Sequence, residues 1–376
     1  MWIYSLKKEG GGVEVDKIRR KISKLKRQQM EEDRRKQTES KAKEEEIRDI
    51  GLNGFCNLHI VEARERQERE QREKEQKLAR ELEEPLKEPW RKISSKFEDP
   101  WTREFKEELL QKINAIKPAG GIKYFNILLL GQAASGKSSF FNTCLTAIIN
   151  EDRLVTSSLI YQSSSRSVTT ALEAIPMKTK EGKILPLRLF DCRGLNVEYG
   201  VPTEDIRAIV EGRVKSGYKI NPVAPIDEDD PYYRKDPETK DRMHCVVYVA
   251  NAENPAEQLT DHKTEEQLRY VRENLARQHL PQMVLFNKVD RLRISNTHNL
   301  RDIFRSQDVK DTCTKAAEYM QIPLTHVFPM ANYHEENLPT LEKDILALFY
   351  LLTMMQRAND FILRLTKDDV PDDFYD

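Results

Sequence analysis

One nine-residue stretch, residues 131–139, constrains this chain of 376 residues more than any other part of it. It reads GQAASGKSS, follows the apolar run 124–130 and precedes the amphipathic pattern FFNTCL at 140–145. A strand, a glycine-bounded loop with Lys-Ser and a helix, in this order, make the P-loop motif, in which backbone N–H groups converge on nucleotide phosphates. The alternative is an ordinary Gly/Ser-rich turn, and the flanking strand and helix favour the P-loop.

The chemistry of phosphate binding assigns roles within this loop. Lys137 is expected to place its ammonium against the β- and γ-phosphates, and Ser138 to give its hydroxyl to Mg²⁺. The expected nucleotide-binding residues of the loop are Gly131, Ala134, Ser135, Gly136, Lys137, Ser138 and Ser139.

A second motif follows a later apolar segment. Residues 187–190 read as a strand that runs into DCRG, a DxxG pattern at 191–194. Asp191 is expected to hold Mg²⁺, directly or through water, and the N–H of Gly194 to bond the γ-phosphate. Asp and Gly are also ordinary turn residues after a strand. Their position after a P-loop favours the functional interpretation.

The third motif is NKVD at 287–290, which ends the strand pattern MVLF. The carboxylate of Asp290 can accept hydrogen bonds from N1 and N2 of guanine, a donor pair that adenine lacks. Asn287 is expected to tie this loop to the P-loop, and the stem of Lys288 to cover the base. The alternative is a polar turn, but P-loop, DxxG and NKxD in this order indicate guanine-nucleotide binding. They argue against a P-loop kinase, because NKxD has no role in such an enzyme.

Weaker assignments complete the expected site. Thr169 or Thr170 is a candidate ligand of Mg²⁺ and the γ-phosphate, although threonines also open strands. Arg166 is a candidate for an arginine finger in cis, and the alternative is a solvated loop arginine. The backbone N–H groups of Ala331 and Asn332 are candidates to bond the guanine O6.

Leu195 stands directly after the DxxG glycine, where many GTPases carry the glutamine that orients the attacking water. A leucine side chain cannot hold a water molecule. The sequence therefore predicts slow hydrolysis of GTP to GDP and phosphate, or hydrolysis that depends on a residue from a partner or a second subunit.

Composition divides the chain into three parts. Residues 1–86 are rich in Lys, Arg, Glu and Gln and predict a charged helical arm, either solvated and partly disordered or a weak dimerising or partner-binding helix. Residues 87–121 predict a Pro-Trp linker and a short amphipathic helix, and residues 122–376 predict a nucleotide domain.

The charge balance of the chain, Lys+Arg 62 against Asp+Glu 63, gives no basic tail that would bind nucleic acid. No apolar run reaches the roughly 20 residues of a membrane span, so a cytoplasmic protein is expected.

Within the nucleotide domain, apolar segments alternate with helical patterns. This alternation predicts an α/β fold with a mostly parallel, P-loop GTPase-like sheet and helices on both faces. Besides 124–130, the expected strands are 171–177, 184–190, 244–251, 282–287 and 324–330, and the expected helices 203–214, 263–278, 310–320 and 340–365. A long insertion at about 196–242 is expected to be either a nucleotide-sensitive partner surface or a static covering of the sheet.

The motifs and the segments between them resemble the interferon-induced protein 44 and 44-like family of GTPases. The resemblance is carried by GKSSFFN at 136–142, SGYKINPVAPI at 216–226, KDRMHCVVYV at 240–249, ANDF at 358–361 and PWR at 89–91. It implies a cytoplasmic, interferon-inducible GTP-binding protein with an antiviral or antiproliferative role. The charged arm departs from the N-terminal domain that vertebrate members often have, so the resemblance leaves the partners open.

Two hypotheses for the function follow. In the first, the γ-phosphate and Mg²⁺ order the loops around Thr169, Thr170 and Gly194, and the protein is a switch that hydrolyses GTP slowly and can form a nucleotide-dependent homodimer. In the second, it is a non-hydrolysing scaffold that binds GTP or GDP while the arm recruits protein partners.

Overall fold

The computed structural model describes residues 85–366, apart from 157–170, 193, 196–199, 253–261, 293 and 295–298. A compact unit begins at Pro85. The expected charged arm therefore lies almost wholly outside the described residues. Arg166, Thr169 and Thr170 also lie outside them.

Six strands form one sheet in the order β2-β3-β1-β4-β5-β6. Every neighbouring pair is parallel except β2–β3, which is antiparallel. The strands are β1 Phe125–Leu130, β2 Glu173–Lys178, β3 Ile184–Asp191, β4 Cys245–Asn251, β5 Gln282–Asn287 and β6 Val327–Met330. All six residues of β1 are buried, as expected for a central strand covered on both faces. The predicted mostly parallel α/β sheet is confirmed.

The helices of the described residues are α1 Arg103–Ala115, α2 Lys137–Ile149, α3 Thr203–Val210, α4 His262–Arg277, α5 Gln307–Met320 and α6 Leu341–Thr366. The chain leaves β1 through α2 to β2, turns back into the antiparallel neighbour β3, and then passes β1 through α3 to β4. The connections before and after β3 cross the sheet in opposite directions, which puts α2 and α3 on opposite faces. Accordingly α2 packs against α6, and α3 packs against α4. In open sheets of this kind, ligands bind beyond the carboxyl ends of the strands at the point where the strand order reverses, which here is at β1.

Three element boundaries differ from the sequence prediction by three residues or more, and the others by at most two. The helix expected at 203–214 ends at Val210, because Gly212 adopts a φ of 83° that a continuing helix does not allow. The helix expected from Lys310 begins at Gln307, since the Ser306 hydroxyl accepts the N–H of Val309 and caps it. The last strand is shorter than expected, because Leu324–His326 form a 3-10 turn. None of the helices within the described ranges is long and apolar enough to cross a membrane.

Residues 87–121 pack on the same unit as the sheet. The indole of Trp90 meets the ring of Phe304 edge-on with centroids 5.5 Å apart, and Trp101 stacks on the same ring at 6.4 Å. The guanidinium of Arg91 donates to the carbonyl oxygens of Leu324 and Val327 at the start of β6. Both tryptophans therefore pack on the unit that holds the sheet, while the division at residue 121 stays a prediction.

Helix α1 covers helix α6 with one apolar face. Phe105, Leu109 and Ile113 recur every four residues and are buried, whereas Leu110 is half-buried. The Thr102 hydroxyl accepts the N–H of Phe105 and caps the helix start. Helix α1 therefore adds a further layer outside α6, which itself lies on the sheet.

The described part of the insertion, residues 200–242, packs against the rest of the unit. Helix α3 buries Ile206 and Ile209, and the loop after it buries Tyr218. The carboxylate of Asp205 accepts the N–H of Ile226 at 2.7 Å, which joins α3 to the proline-rich loop. Burial raises the pKa of this carboxyl. Most of the insertion thus has fixed internal contacts in the structure.

Candidate functional site

The P-loop lies between the end of β1 and the first turn of α2. Gly136 precedes the helix with a φ of 97°, and Ala134 has a φ of 59°. A Cβ on Gly136 would lie 2.6 Å from the Asn287 amide nitrogen, and one on Gly131 would lie 2.2 Å from the carbonyl oxygen of Val249. Both glycines are thus required by close packing, and Gly136 also by its backbone conformation. The predicted strand, loop and helix of the P-loop motif are confirmed.

Lys137 is the first residue of α2 and is only 7% exposed. Its ammonium donates 3.0 Å hydrogen bonds to the carbonyl oxygens of Gly131 and Gln132. None of the described carboxylates forms an ion pair with it. A buried cation bonded only to neutral carbonyls carries a net charge that an anion at the helix N-terminus would compensate. The loop therefore has the electrostatic character of a phosphate site.

Ser138 and Asp191 meet beside this loop, although 53 positions separate them. The Ser138 hydroxyl donates to Oδ2 of Asp191 at 3.0 Å, and Asp191 is 6% exposed. A hydroxyl and a carboxylate are oxygen ligands of the kind that Mg²⁺ takes when phosphate oxygens and waters complete its shell. The described residues include no cluster of three or more His, Cys, Asp or Glu side chains that could hold a metal alone. This pair fits a phosphate-dependent Mg²⁺ site.

Cys192 follows Asp191 and lies in the core. Burial raises the pKa of its thiol to about 12, with the charge of Lys137 acting in the opposite direction. The thiol is therefore protonated at neutral pH and is a packing group.

The DxxG segment lies directly against the P-loop. A Cβ on Gly194 would approach the backbone nitrogen of Ala133 to 2.6 Å, so only glycine fits here without a shift. The N–H of Leu195 donates to the carbonyl oxygen of Gly131 at 3.0 Å. The Leu195 side chain is 6% exposed, so it packs into the core.

The NKxD segment reaches the same loop from β5. The Asn287 side chain is fully buried, and its amide nitrogen donates to the carbonyl oxygen of Ser135 at 2.9 Å. The predicted tie between Asn287 and the P-loop is confirmed. Lys288 has a φ of 62°, and this left-handed turn is followed by the 3-10 turn Val289–Arg291, in which Asp290 is exposed. The carboxylate expected to bind guanine is accessible to a ligand.

The segment after β6 completes the group. The side-chain amide nitrogen of Asn332 lies 3.5 Å from the carbonyl oxygen of Gly136, while Ala331 is buried. The Tyr333 N–H donates to the Thr143 hydroxyl oxygen at 3.2 Å, which joins this segment to helix α2. The carboxyl ends of β1, β3, β5 and β6 thus bring all three motifs and the expected O6-binding segment together.

Three residues that the sequence analysis did not select, Thr143, Tyr333 and Lys343, hold the segment after β6 in place. Thr143 anchors Tyr333, and the Lys343 ammonium donates to the carbonyl oxygen of Asn332 at 2.9 Å. Thr143 could have been selected from the sequence, because it is a polar residue on the buried side of an apolar helix. Ser139, which was selected, has an exposed side chain, and its carbonyl accepts the Thr143 hydroxyl at 2.9 Å.

Comparisons with solved structures give weak global similarity. The crystal structure of a probable GTP-binding protein, engB, has 14% identity and a TM-score of 0.30, covering 55% of this chain and 88% of that one. The structure of sup35 complexed with GMPPNP has 13% identity and a TM-score of 0.29, covering 56% of this chain and 38% of that one. No family model matches the sequence.

Curated relatives give stronger sequence similarity. Interferon-induced protein 44 from Mus musculus is 27% identical over 258 residues, which cover 68% of this chain and 60% of that protein. The Homo sapiens protein is 27% identical over 262 residues, covering 69% and 58%. Interferon-induced protein 44-like from Homo sapiens is 29% identical over 264 residues, covering 69% and 57%, so the match spans under two thirds of each relative. The resemblance that the motifs predicted is confirmed: the chain is similar to interferon-induced protein 44 and interferon-induced protein 44-like over about 69% of its own length.

Proposed function

We propose that this chain binds GTP and GDP at the carboxyl edge of its sheet. The observation that carries the proposal is the hydrogen bond from the buried Asn287 to the carbonyl of Ser135. It joins a P-loop to a segment whose next carboxylate, Asp290, is exposed at the same edge. A phosphate site and a purine-selective carboxylate are thereby held in one rigid arrangement.

The phosphates would lie against the backbone N–H groups of residues 134–139 at the start of α2. On binding, Lys137 would exchange its bonds to Gly131 and Gln132 for the β- and γ-phosphate oxygens. Ser138 and Asp191 would hold Mg²⁺, which would neutralise part of the phosphate charge. Gly194 would offer its N–H to the γ-phosphate, and Thr169 or Thr170 would add a further metal ligand.

Hydrolysis is proposed to be slow. Leu195 has no group to orient water, and its side chain packs in the core with its N–H bonded to Gly131. The same observation supports the second candidate, a GTP-binding scaffold that does not hydrolyse the nucleotide. Arg166 is a candidate for a charge-stabilising residue in the first case only.

The cellular role is proposed from the names of the curated relatives. Because these relatives are named as interferon-induced, we extend a role in the innate immune response, antiviral and cytoplasmic, to this chain. Protein partners are expected at the charged arm 1–86 and at the insertion 196–242, and a nucleotide-dependent homodimer is one form that the switch could take.

Nucleotide binding is tested by titrating the full chain with fluorescent GTP, GDP and ATP in the presence of Mg²⁺. The wild type is expected to bind both guanine nucleotides and to discriminate against ATP. Lys137→Ala should weaken all of them, whereas Asp290→Asn should remove the preference for guanine. A preference for ATP, or no binding of any purine nucleotide, would refute the proposal.

Steady-state hydrolysis at several protein concentrations separates the two candidates. A switch activated by dimerisation gives a rate that rises faster than linearly with protein concentration. A scaffold binds GTP without releasing phosphate at any concentration. Fast phosphate release by dilute monomer would contradict both.

A further inference from the structure

The segment between β6 and α6, residues 331–340, is held at both of its sides. Its start is joined to α2 by the bond from the Tyr333 N–H to Thr143. The Lys343 ammonium, from the first turn of α6, donates to the carbonyl of Asn332. This segment carries the two residues expected to bind the guanine O6, Ala331 and Asn332.

The Tyr333 hydroxyl closes the segment on itself. It donates to Oδ1 of Asp344 at 2.7 Å, and it accepts the N–H of Thr340 at 2.8 Å. One phenolic oxygen therefore joins the beginning and the end of the segment and fastens both to helix α6. The same hydroxyl also lies 3.0 Å from the carbonyl oxygen of Thr340, so Asp344 and Thr340 compete for its proton, and the shorter bond to the carboxylate directs it towards helix α6.

Asp344 is 2% exposed, and burial raises the pKa of its carboxyl. Its second oxygen, Oδ2, accepts a 2.6 Å hydrogen bond from the ammonium of Lys106, which opposes that shift. Lys106 lies on helix α1, ahead of the sheet and 238 positions away in the chain. The Lys106 side chain is itself only 13% exposed. A charge-assisted bond in such a setting is stronger than an exposed one.

We propose that Lys106, Asp344 and Tyr333 are positioning residues for guanine recognition. Lys106 fixes the carboxyl group of Asp344, Asp344 fixes the Tyr333 hydroxyl, and Tyr333 fixes the backbone that meets O6. The inference rests on the proposed function. It makes helix α1 part of the nucleotide site, so anything that displaces α1 from α6 changes guanine affinity.

If the network were merely structural, its loss would lower the stability of the fold and weaken the binding of all nucleotides equally. A positioning network acts on the contact at position 6 of the purine and leaves the phosphate contacts as they are. The ratio of affinities for two diphosphates that differ only at position 6 therefore separates the two roles.

The probes are GDP and the 5′-diphosphate of 6-thioguanosine, in which sulfur, a weaker hydrogen-bond acceptor, replaces O6 while N1–H and the 2-amino group are kept. Both compete with fluorescent GDP for the full chain at fixed Mg²⁺. Wild type is expected to prefer GDP. Lys106→Met should reduce that preference about fivefold, the loss of roughly one hydrogen bond, and Lys106→Arg should restore most of it.

The matched control is Lys112→Met on the same helix. Its ammonium pairs with Glu108 at 2.6 Å but is largely exposed, so the preference should stay at the wild-type value. Tyr333→Phe keeps the ring, removes the hydroxyl and should reduce the preference as Lys106→Met does. It answers the same question if Lys106→Met fails to fold.

Wild-type preference in both Lys106→Met and Tyr333→Phe, with GDP still bound, would overturn the network and leave the proposed function standing. A wild-type chain that binds neither diphosphate would overturn the proposed function and the network together. Equal loss of affinity for both diphosphates in the two variants would reduce the network to a structural role and overturn the inference.

Discussion

Asn287 and Ser135 lie 152 positions apart in the chain, and the side-chain amide of the first donates a 2.9 Å hydrogen bond to the carbonyl oxygen of the second. Both residues are buried: Asn287 has no exposed surface, and Ser135 is 2% exposed. The bond therefore replaces water at a carbonyl that has no route to solvent. It makes the conformation of the phosphate-binding loop depend on strand β5.

Removal of this bond is expected to cost stability as well as affinity. Asn287→Ala leaves the Ser135 carbonyl buried without its donor, which should lower the free energy of unfolding by about 1–3 kcal/mol. The measurement is urea denaturation with and without GDP. Asn114→Ala removes a 3.0 Å bond to the Leu110 carbonyl at an exposed helix end and should change the free energy of unfolding far less. Equal effects of the two substitutions would contradict this assignment.

Gly136 and Gly182 form a matched pair for testing the loop. Both have positive φ, 97° and 80°, but an added Cβ meets Asn287 at Gly136 and nothing within 4 Å at Gly182. Backbone strain should lower the free energy of unfolding by about 1 kcal/mol in each alanine variant. Gly136→Ala should in addition abolish binding of fluorescent GDP, because Asn287 must move.

Gly182→Ala should retain wild-type GDP affinity, which separates strain from steric blockage of the loop. Normal GDP affinity in Gly136→Ala would show that the contact with Asn287 does not limit nucleotide binding.

Leu195→Gln is expected not to create a fast GTPase. The Leu195 side chain is 6% exposed and its N–H is bonded to Gly131, so the new amide would lie in the core instead of beside the γ-phosphate. The substitution should lower the free energy of unfolding by roughly 1–3 kcal/mol, because a buried amide lacks partners. Single-turnover phosphate release measures the rate, and Leu195→Met is the apolar control. A rate increase above about tenfold, equivalent to roughly 1.4 kcal/mol of barrier, would contradict the expectation.

His244 makes stability depend on pH. Its Nδ1 accepts the N–H of Asn126 at 3.0 Å, which requires a neutral ring, and burial lowers its pKa to about 4 from an ordinary 6.5. The unfolded state therefore binds the proton more readily. The contribution of the neutral ring is complete above pH 6.5 and is lost as the pH falls towards 4, by up to about 3 kcal/mol.

Urea denaturation at a series of pH values measures this dependence. His244→Gln can still accept from Asn126 and cannot gain a proton, so its free energy of unfolding should fall less between pH 6.5 and 4. An unchanged pH dependence in this variant would show that the loss of stability in acid arises from other groups.

The local patterns of the sequence were sufficient for the strands and for the three nucleotide motifs. A run such as FNILLL at 125–130 predicts a buried strand, and the spacing of Gly131, Gly136 and Lys137 predicts the loop that follows it. Parallel strands then bring their carboxyl ends to one edge. The contact of Asn287 with the P-loop could therefore be predicted from the sequence alone.

Contacts between distant segments were not predictable in this way. Lys106, Tyr333 and Asp344 lie in three separate segments, and each has an ordinary local interpretation: a solvated helix lysine, a loop aromatic and an acidic residue in a first helical turn. Their function as a group depends on α1 packing against α6, which no periodicity specifies. The early end of α3 was missed for a smaller reason, because an apolar pattern continues past Gly212 while the backbone does not.

The stacking of Trp101 on Phe304 has a consequence for where this molecule can be shortened. Trp101 is 7% exposed and donates its indole N–H to the carbonyl of Arg301, while Trp90 takes the edge of the same ring. A fragment that starts at the first strand would lose both indoles and the amphipathic helix and would leave Phe304 and one side of α6 facing water. A shortened chain that is to keep these contacts is therefore expected to start no later than about Pro85.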